Sequence, residues 1–298
     1  MTCKVLVPIY RVPTPDEMRA LRNNCSVLSS HNIAIVAPEG LDLEALEREI
    51  PALDIIRVGD CWLGTRNGIA GYNRMMMSAE FYAMFEEWDY ILICHTDAWI
   101  FRDELAEWCA KGYDCVAAPW VRRKVYNLPI IKQYMAIRAW MRHRKGLKCR
   151  ADLYGRIGNG GLSLRRVKSF KDGCLRYAET IEKYLKGGSH LYNEDVFWAT
   201  IPQDFRYPDW QEALGFAFDT NPAYCYSLMS EHLPMGCHSW TKPKMWRFWR
   251  NFFGNKEYLS YFIHRLKYPQ FYHFLTQKSP LSPQILLSSG RFNNFLTL

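Results

Sequence analysis

The stretch WDYILICHTDAWIF, residues 88–101, indicates how this chain folds. Tyr90 to Cys94 is an apolar run with the length of a buried strand, and it ends abruptly at His95 and Asp97. In open α/β sheets, ligands bind beyond the carboxyl ends of the strands, so Asp97 is a candidate site residue. A single Asp after a strand is also a common turn or cap residue, and the stretch alone does not establish a site.

The segments before this strand alternate between strand and helix patterns. The helix pattern at Thr14 opens with a capping box that Glu17 completes. The β-α-β-α-β opening predicts an α/β fold, with a single Rossmann-type, mixed or mostly parallel sheet flanked by helices. The predicted strands are 4–10, 32–37, 54–58, 90–94, 114–120, 162–164 and 215–218. The predicted helices are 14–30, 43–50, 72–88, 103–110, most of 165–185 and a short one at 193–198, and residues 235–240 are predicted to form a tight loop.

The composition is that of a globular protein, with 49% apolar and 23% charged residues in 298 positions. The apolar run at Val5–Tyr10 is short and is broken by Pro8, so no signal peptide is expected. No run of about 18 apolar residues predicts a membrane span. The ten cysteines include no CxxC pair, which argues against a cysteine zinc site and favours reduced thiols in a cytoplasmic protein.

Two segments hold most of the positive charge. Residues 121–150 contain ten Lys or Arg and no acid, and residues 241–275 contain seven bases and one acid. These segments carry a net +16 in a chain whose net charge is +8, so the remainder is −8. We therefore predict a domain at 1–240 with a basic insertion at 121–150, and a basic aromatic extension at 241–298 that contacts an anionic surface.

The insertion contains an amphipathic pattern. Its apolar residues recur close to helical spacing, and Lys132, Arg138 and Arg142 lie between them. A basic helix with Trp and aliphatic residues on one side is typical of a membrane-surface helix, although an ordinary surface helix has the same pattern. The apolar residues of this pattern are Ile130, Ile131, Tyr134, Met135, Ile137, Trp140 and Met141.

Four features of the sequence, taken together, are more than the fold alone would require and indicate a functional site. They are His95-Thr96-Asp97, Gly158–Gly161, Glu194-Asp195 and His238. Each has a simpler explanation by itself. The acidic pair suits the first turn of a helix, and His238 could be a loop histidine bonded to backbone. The glycine run lacks the spacing of a phosphate-binding loop.

In this order, the motifs resemble those of GT-A nucleotide-sugar glycosyltransferases. The chain looks closest to a bacterial polysaccharide-cluster family, and the resemblance covers roughly residues 3–240. The motifs that carry it are Thr96-Asp97-Ala98-Trp99, Gly158-Asn159-Gly160-Gly161, Asn193-Glu194-Asp195-Val196-Phe197-Trp198 and Gly236-Cys237-His238-Ser239-Trp240.

The resemblance implies a divalent metal, Mn²⁺ or Mg²⁺, that neutralises the diphosphate of the donor. Asp97 matches the second acid of the GT-A Asp-x-Asp motif, and His238 looks like the C-terminal histidine that completes the metal site. His95 stands where the first acid is expected, which is a departure from the family pattern. With an imidazole among the ligands, Mn²⁺ suits the site better than Ca²⁺.

The resemblance also implies residues for catalysis and donor binding. An inverting transfer needs a base for the acceptor hydroxyl, and Asp195 is the expected base, with Glu194 binding acceptor hydroxyls or the two roles exchanged. The resemblance implies a UDP-hexose as the donor, which is expected to bind at a further set of residues. These contacts are Pro8, Tyr10, Asn73, Arg74, Asp97, Gly160 and Gly161.

The implied acceptor is a lipid-linked saccharide in bacterial surface polysaccharide synthesis. The protein is then expected in the cytoplasm, peripheral on the inner face of the cell membrane, with no nucleic-acid partner. A nucleic-acid-binding protein is the alternative that the basic aromatic segments leave open, but the body is acidic and no nucleic-acid motif is present. A non-catalytic sugar-binding subunit is a second alternative, because the first acid is replaced by His95.

Overall fold

The structure is a computed structural model, which describes residues 1–50 and 53–253. The strands are β1 Cys3–Pro8, β2 Asn32–Pro38, β3 Asp54–Val58, β4 Tyr90–Cys94, β5 Ala98–Ile100, β6 Cys115–Ala117, β7 Leu162–Arg166, β8 Ala217–Phe218 and β9 Gly236–His238. The α-helices are α1 Pro15–Val27, α2 Glu44–Glu49, α3 Gly68–Met76, α4 Ala79–Ala83, α5 Leu105–Ala110, α6 Pro129–Arg144, α7 Val167–Arg176, α8 Ala178–Leu185, α9 Glu194–Thr200, α10 Trp210–Phe216, α11 Pro222–Leu228 and α12 Pro243–Trp249. These elements belong to one compact unit, Met1–Trp249.

The main sheet has six strands in the order β3-β2-β1-β4-β7-β6. The first four strands are parallel to one another, and β7 is antiparallel to both β4 and β6. All five residues of β4 are buried, which explains the continuous apolar run in the sequence. The predicted α/β fold class, with a mostly parallel sheet flanked by helices, is confirmed.

The capping box predicted for α1 is present. Thr14 Oγ1 accepts a hydrogen bond from the Glu17 amide at 3.4 Å, and the Glu17 carboxylate accepts one from the Thr14 amide at 2.7 Å. Both bonds satisfy amide donors that the first turn of a helix leaves unpaired.

The prediction of one continuous helix at 72–88 was wrong. The structure divides it into α3 and α4, with a break at Met77 and Ser78. The reason is the hydroxyl of Ser78, which accepts a bond from the Phe81 amide and starts a new helix as its N-cap. The mainly helical segment at 165–185 is likewise divided into α7 and α8, and its first two residues belong to β7.

A second, three-stranded sheet in the order β5-β9-β8 was not predicted. The tight loop predicted at 235–240 contains β9. Of the strand predicted at 215–218, the first two residues belong to α10 and the last two form β8. Strands of two or three residues are too short to show an alternating pattern. This small sheet pairs Ala98 with His238, which places the end of the predicted site motif beside Asp97.

The basic insertion contains the predicted amphipathic helix, α6. Within the described part of the chain, none of the helices has both the length and the apolar character needed to cross a membrane. At the C-terminal side, α12 is described and residues 254–298 are not, so the aromatic tail predicted there lies mostly outside the described residues. Trp249 lies in the aromatic extension that was predicted to contact an anionic surface, but it is fully buried against Phe101 and Phe218 and cannot make that contact.

Candidate metal and donor site

Three predicted ligands meet where β4 ends. One ligand atom each from His95, Asp97 and His238 lies within 4.8 Å of the others, and all three residues are partly buried. Asp97 Oδ1 is 3.1 Å from His238 Nε2. The strand end supplies His95 and Asp97, and the pairing of β5 with β9 brings His238 to them across 140 residues of sequence. The backbone bond from the Ser239 amide to the Asp97 carbonyl, at 3.0 Å, holds this junction.

A further carboxylate, which sequence reasoning missed, lies behind His238. Asp219 Oδ1 is 3.1 Å from His238 Nδ1, and Ser239 Oγ is at the same distance from that nitrogen. Hydrogen bonding of one ring nitrogen to a carboxylate orients the other nitrogen toward a metal and makes it a better ligand. The only sequence signal for Asp219 was an acid directly after the apolar Gly215–Phe218 stretch.

His95 is oriented by a tyrosine. Its Nε2 lies 2.8 Å from the Tyr72 hydroxyl, and the two rings meet edge to face with centroids 5.1 Å apart. If Nε2–H donates this bond, the lone pair of Nδ1 is available to a cation. Burial, together with the charge of the neighbouring His238, lowers the pKa of His95 to about 4, so this imidazole is neutral at pH 7.

His238 carries the opposite protonation state. Burial alone would lower its pKa, but Asp97 and Asp219 raise the pKa to about 10. For Asp97 the directions are reversed: burial alone would raise its pKa, but His238 and His95 hold the pKa below its usual range. Without a cation, the Asp97–His238 contact is therefore an ion pair, and a metal that uses Nε2 must displace its proton.

The glycine loop lies directly against these ligands. The Gly161 carbonyl accepts a hydrogen bond from the His95 amide at 2.8 Å, and the Gly161 amide donates to Asn159 Oδ1 at 2.9 Å. A Cβ on Gly161 would lie only 2.1 Å from His238 Nε2, and a Cβ on Gly160 only 2.2 Å from Glu194 Oε1. Both positions therefore require glycine because of the close approach of a site side chain.

The two acids of the predicted catalytic pair have different surroundings. Glu194 is 2% exposed, and its carboxylate pairs with Arg165 at 2.9 Å and 3.1 Å. Burial raises the pKa of Glu194 to about 7, and the Arg165 guanidinium opposes that rise. Asp195 is partly exposed, and burial also raises its pKa, while the Val196 amide bond opposes the rise. Of the two carboxylates, Asp195 is the one that Arg165 does not bind.

Asp195 also lies near the metal-ligand cluster: a Cβ on Gly160 would be 3.9 Å from its Cβ, and the next residue, Gly161, lies against His238. The charges of Asp219 and His238 both act on Asp195, which indicates that α9 begins close to the cluster. The predicted donor contact Asn73 holds this helix start in place: its amide oxygen accepts a bond from the Glu194 amide at 3.1 Å, and its amide nitrogen donates to Asn193 at 3.2 Å. Through these two hydrogen bonds, Asn73 fixes the position of the acidic pair.

The other predicted donor contacts divide into two groups. Pro8 and Tyr10 share a cleft with Thr96, the neighbour of Asp97, so the end of β1 and the end of β4 do meet. The cleft holds only about 10 Å³, which is room for roughly one water molecule, and it must widen to admit a nucleoside. Arg74 is exposed on α3.

The donor set fits a divalent cation. Two imidazoles and one carboxylate, with His238 already supported by Asp219, match the ligand types of Mn²⁺ and of other first-row metals. Mg²⁺ prefers an all-oxygen shell with several waters, so the imidazoles favour Mn²⁺ over Mg²⁺.

The fold and site define an α/β domain with a candidate divalent-cation site at the carboxyl ends of its strands. The chain belongs to the family described as "Protein of unknown function (DUF5672)", whose model matches residues 53–238, more than half of the sequence. A search of curated protein sequences gave no significant match.

Solved structures that resemble the chain include three glycosyltransferases. The first is the galactosyltransferase LgtC in complex with donor and acceptor sugar analogs, at 13% identity over 86% of this chain and 99% of that one, with a TM-score of 0.48. The second is a glycosyltransferase involved in glycosylation of the major capsid of PBCV-1, at 10% identity over 83% of this chain and 97% of that one, with a TM-score of 0.42. The third is mouse xyloside xylosyltransferase 1, at 13% identity over 80% of this chain and 98% of that one, with a TM-score of 0.44. All three TM-scores are below 0.5, so these likenesses carry no argument about the activity of this chain.

Proposed function

We propose that the protein is a metal-dependent GT-A glycosyltransferase. It moves a hexose from a nucleotide-diphosphate sugar, a UDP-sugar, to a hydroxyl of a lipid-linked glycan in bacterial surface polysaccharide synthesis. The observation that carries this proposal is the convergence of His95, Asp97 and His238 beside the Asp195 carboxylate and the glycine loop. A cation site next to an available base, behind a mostly parallel sheet, suits transfer from a diphosphate leaving group.

The cation would be held by Asp97, His238 and His95, and when bound it supplies positive charge to the diphosphate leaving group. The protein side chains prepare this site. Asp219 fixes the orientation of His238, and Tyr72 fixes that of His95. Gly160 and Gly161 allow Glu194 and His238 to lie directly against the loop, because neither glycine carries a Cβ that would collide with them.

Asp195 is the proposed base. It takes the proton from the acceptor hydroxyl as the hydroxyl oxygen forms its bond to the anomeric carbon and the bond from that carbon to the diphosphate oxygen breaks. The pKa of Asp195 is raised above that of an ordinary aspartate and so lies closer to the operating pH, which favours general-base catalysis. Because a single displacement by the acceptor hydroxyl needs such a base and inverts the carbon that is attacked, we propose an inverting transfer. Glu194, bound by Arg165, holds the start of α9 in place rather than binding the acceptor in this arrangement.

The proposed location is the inner face of the cell membrane. The support comes from α6, where Ile130, Tyr134 and Ile137 are 82%, 60% and 58% exposed and share one face of a basic helix. An exposed aliphatic and aromatic face between cationic residues suits the interface of an anionic bilayer. Binding to anionic vesicles and not to RNA or DNA would separate this proposal from a nucleic-acid-binding role.

A thermal-shift screen of nucleotide sugars, with and without Mn²⁺, tests the proposed function. A UDP-sugar should raise the melting temperature only when Mn²⁺ is present, and Asp97→Ala should abolish that shift. Asp172→Ala is the matched control, because Asp172 is a partly exposed acid on α7 whose ion pair within the described part of the chain is with Lys168. An undiminished shift in Asp97→Ala would remove Asp97 from the donor site. Release of UDP from the donor then separates an enzyme from a sugar-binding subunit.

A further inference from the structure

A groove separate from the cation site lies between α6 and the body of the domain. Its volume is about 580 Å³, within the range of roughly 300–1,000 Å³ that is usual for ligand sites. Two of its lining residues are cationic, Arg122 and Lys132, and none of its lining residues is acidic. The Arg122 Nε atom is buried and has no hydrogen-bond partner among the described residues, although Nη2 donates to the Tyr126 carbonyl at 2.9 Å.

Apart from Asn127, the rest of the groove is lined by aliphatic and aromatic residues and a glycine, and α6 supplies several of them. Met135, Ala136 and Ala139 line the groove together with Lys132, so they form one face of the helix. Ile130, Tyr134 and Ile137 form a different face, which is exposed. The helix thus separates the groove from the surface that we propose to lie on the membrane. The two alanines keep the space between helix and body open.

The groove is also close to the proposed catalytic centre. Gly155 lines the groove and Gly160 borders the acidic pair, and five residues of chain span roughly 18 Å at most. Arg156 adds a direct connection, since its guanidinium donates to the Ala199 carbonyl in α9 at 3.1 Å. A ligand in the groove therefore lies within the reach of one elongated molecule from Asp195.

We infer that this groove binds the diphosphate of a lipid-linked acceptor, with Arg122 and Lys132 on the phosphate oxygens and the first part of the lipid chain along α6. A partly buried guanidinium whose Nε–H has no partner among the described residues, and a second cation with no acid among the residues that line the groove, complement a dianionic group. The apolar lining and the exposed outer face of α6 complement a chain that continues into a bilayer. This assignment names the acceptor site of the proposed transferase and rests on that function.

Vesicle binding tests the inference. The probes are phosphatidylcholine vesicles that contain either a polyisoprenyl diphosphate or phosphatidylglycerol at equal surface charge. The wild-type protein should prefer the diphosphate vesicles, and Arg122→Gln/Lys132→Gln should weaken that binding by about tenfold or more, the worth of a charge-assisted hydrogen bond. Arg138→Gln/Lys145→Gln is the matched control, since it removes two charges from the same segment outside the groove. This control should keep the preference.

A second variant removes the space without changing the charge. Ala136→Trp should fill the groove and also abolish the preference for diphosphate vesicles. Retention of the preference by both groove variants would overturn the inference, as would a wild-type protein that binds the two vesicle types equally. Equal competition by free inorganic pyrophosphate and by the lipid diphosphate would also overturn it, because the groove would then not recognise the lipid.

The failure of this inference and that of the proposed function are distinguishable. A wild-type protein that shows the Mn²⁺-dependent UDP shift without the vesicle preference would be a transferase whose acceptor binds elsewhere. A protein that shows the vesicle preference without any nucleotide-sugar shift would keep the groove assignment and lose the transferase assignment.

Discussion

Replacement of Gly161 by alanine perturbs the cation site without removing any proposed ligand. The new Cβ would lie 2.1 Å from His238 Nε2, whereas real Cβ contacts are essentially never shorter than 3.0 Å. The imidazole must retreat by about 1 Å, which disturbs its 3.1 Å contacts with both Asp97 and Asp219. Disturbing the support of a metal ligand typically costs 10–100-fold in metal affinity, and we expect about 100-fold.

This loss predicts a large difference in thermal stabilisation. At an Mn²⁺ concentration of about 100 times the wild-type Kd, binding stabilises the wild-type protein by about 2.7 kcal/mol and a 100-fold weaker variant by only about 0.4 kcal/mol. For a domain of this size, these values correspond to rises in melting temperature of about 5–10 °C and about 1 °C. Differential scanning fluorimetry with and without Mn²⁺ measures both rises.

Gly188→Ala is the matched control, because no atom lies within 4 Å of a Cβ built at that position. The control should keep the full Mn²⁺-dependent rise. A Gly161→Ala protein that folds and also keeps the full rise would refute the reasoning, since His238 would then not be a ligand at the position described.

Three further predictions concern the same site. Asp195→Asn should lower turnover by several orders of magnitude while the UDP and Mn²⁺ thermal shift survives; near-normal transfer in a radiolabelled-sugar assay would exclude Asp195 as the base. Arg165→Met leaves the Glu194 carboxylate buried without its partner and should lower the free energy of unfolding, measured by urea denaturation, by about 3–5 kcal/mol. Arg165→Met/Glu194→Gln should recover part of that loss. An unchanged urea midpoint in Arg165→Met would show that the ion pair does not stabilise the fold. Mn²⁺ affinity should rise about tenfold per pH unit from pH 6 to 9. The pKa of His238 is raised to about 10, so a bound proton competes with the metal until the pH exceeds that pKa. An Mn²⁺ affinity that calorimetry finds independent of pH would mean that His238 Nε2 is not a ligand.

The sequence predicted the parts of the fold that have strong local patterns. β4 is a continuous buried run, and the Thr14 capping box is a local motif, so both were recognised. The break at Ser78 was missed, because a serine within a helical pattern shows its capping role only when its hydroxyl geometry is known. The small sheet was missed because its strands of two or three residues are too short for a periodic signal.

The candidate site divides in the same way. His95, Asp97 and His238 were recognisable from motifs, and the structure brings them together. Asp219 became identifiable only through the pairing of β8 with β9, a contact between distant segments. The different surroundings of Glu194 and Asp195 were also beyond the sequence, because they depend on which carboxylate the buried Arg165 reaches.

The most direct test of the central claim is the stoichiometry of Mn²⁺ binding in the presence of UDP, measured by electron paramagnetic resonance. The wild-type protein should bind one Mn²⁺ per chain, and His238→Ala and Asp97→Ala should each bind it at least about 100-fold more weakly, since each loses a ligand to the metal. Unchanged Mn²⁺ binding in both variants would contradict the account, because the cation would then be held by other residues.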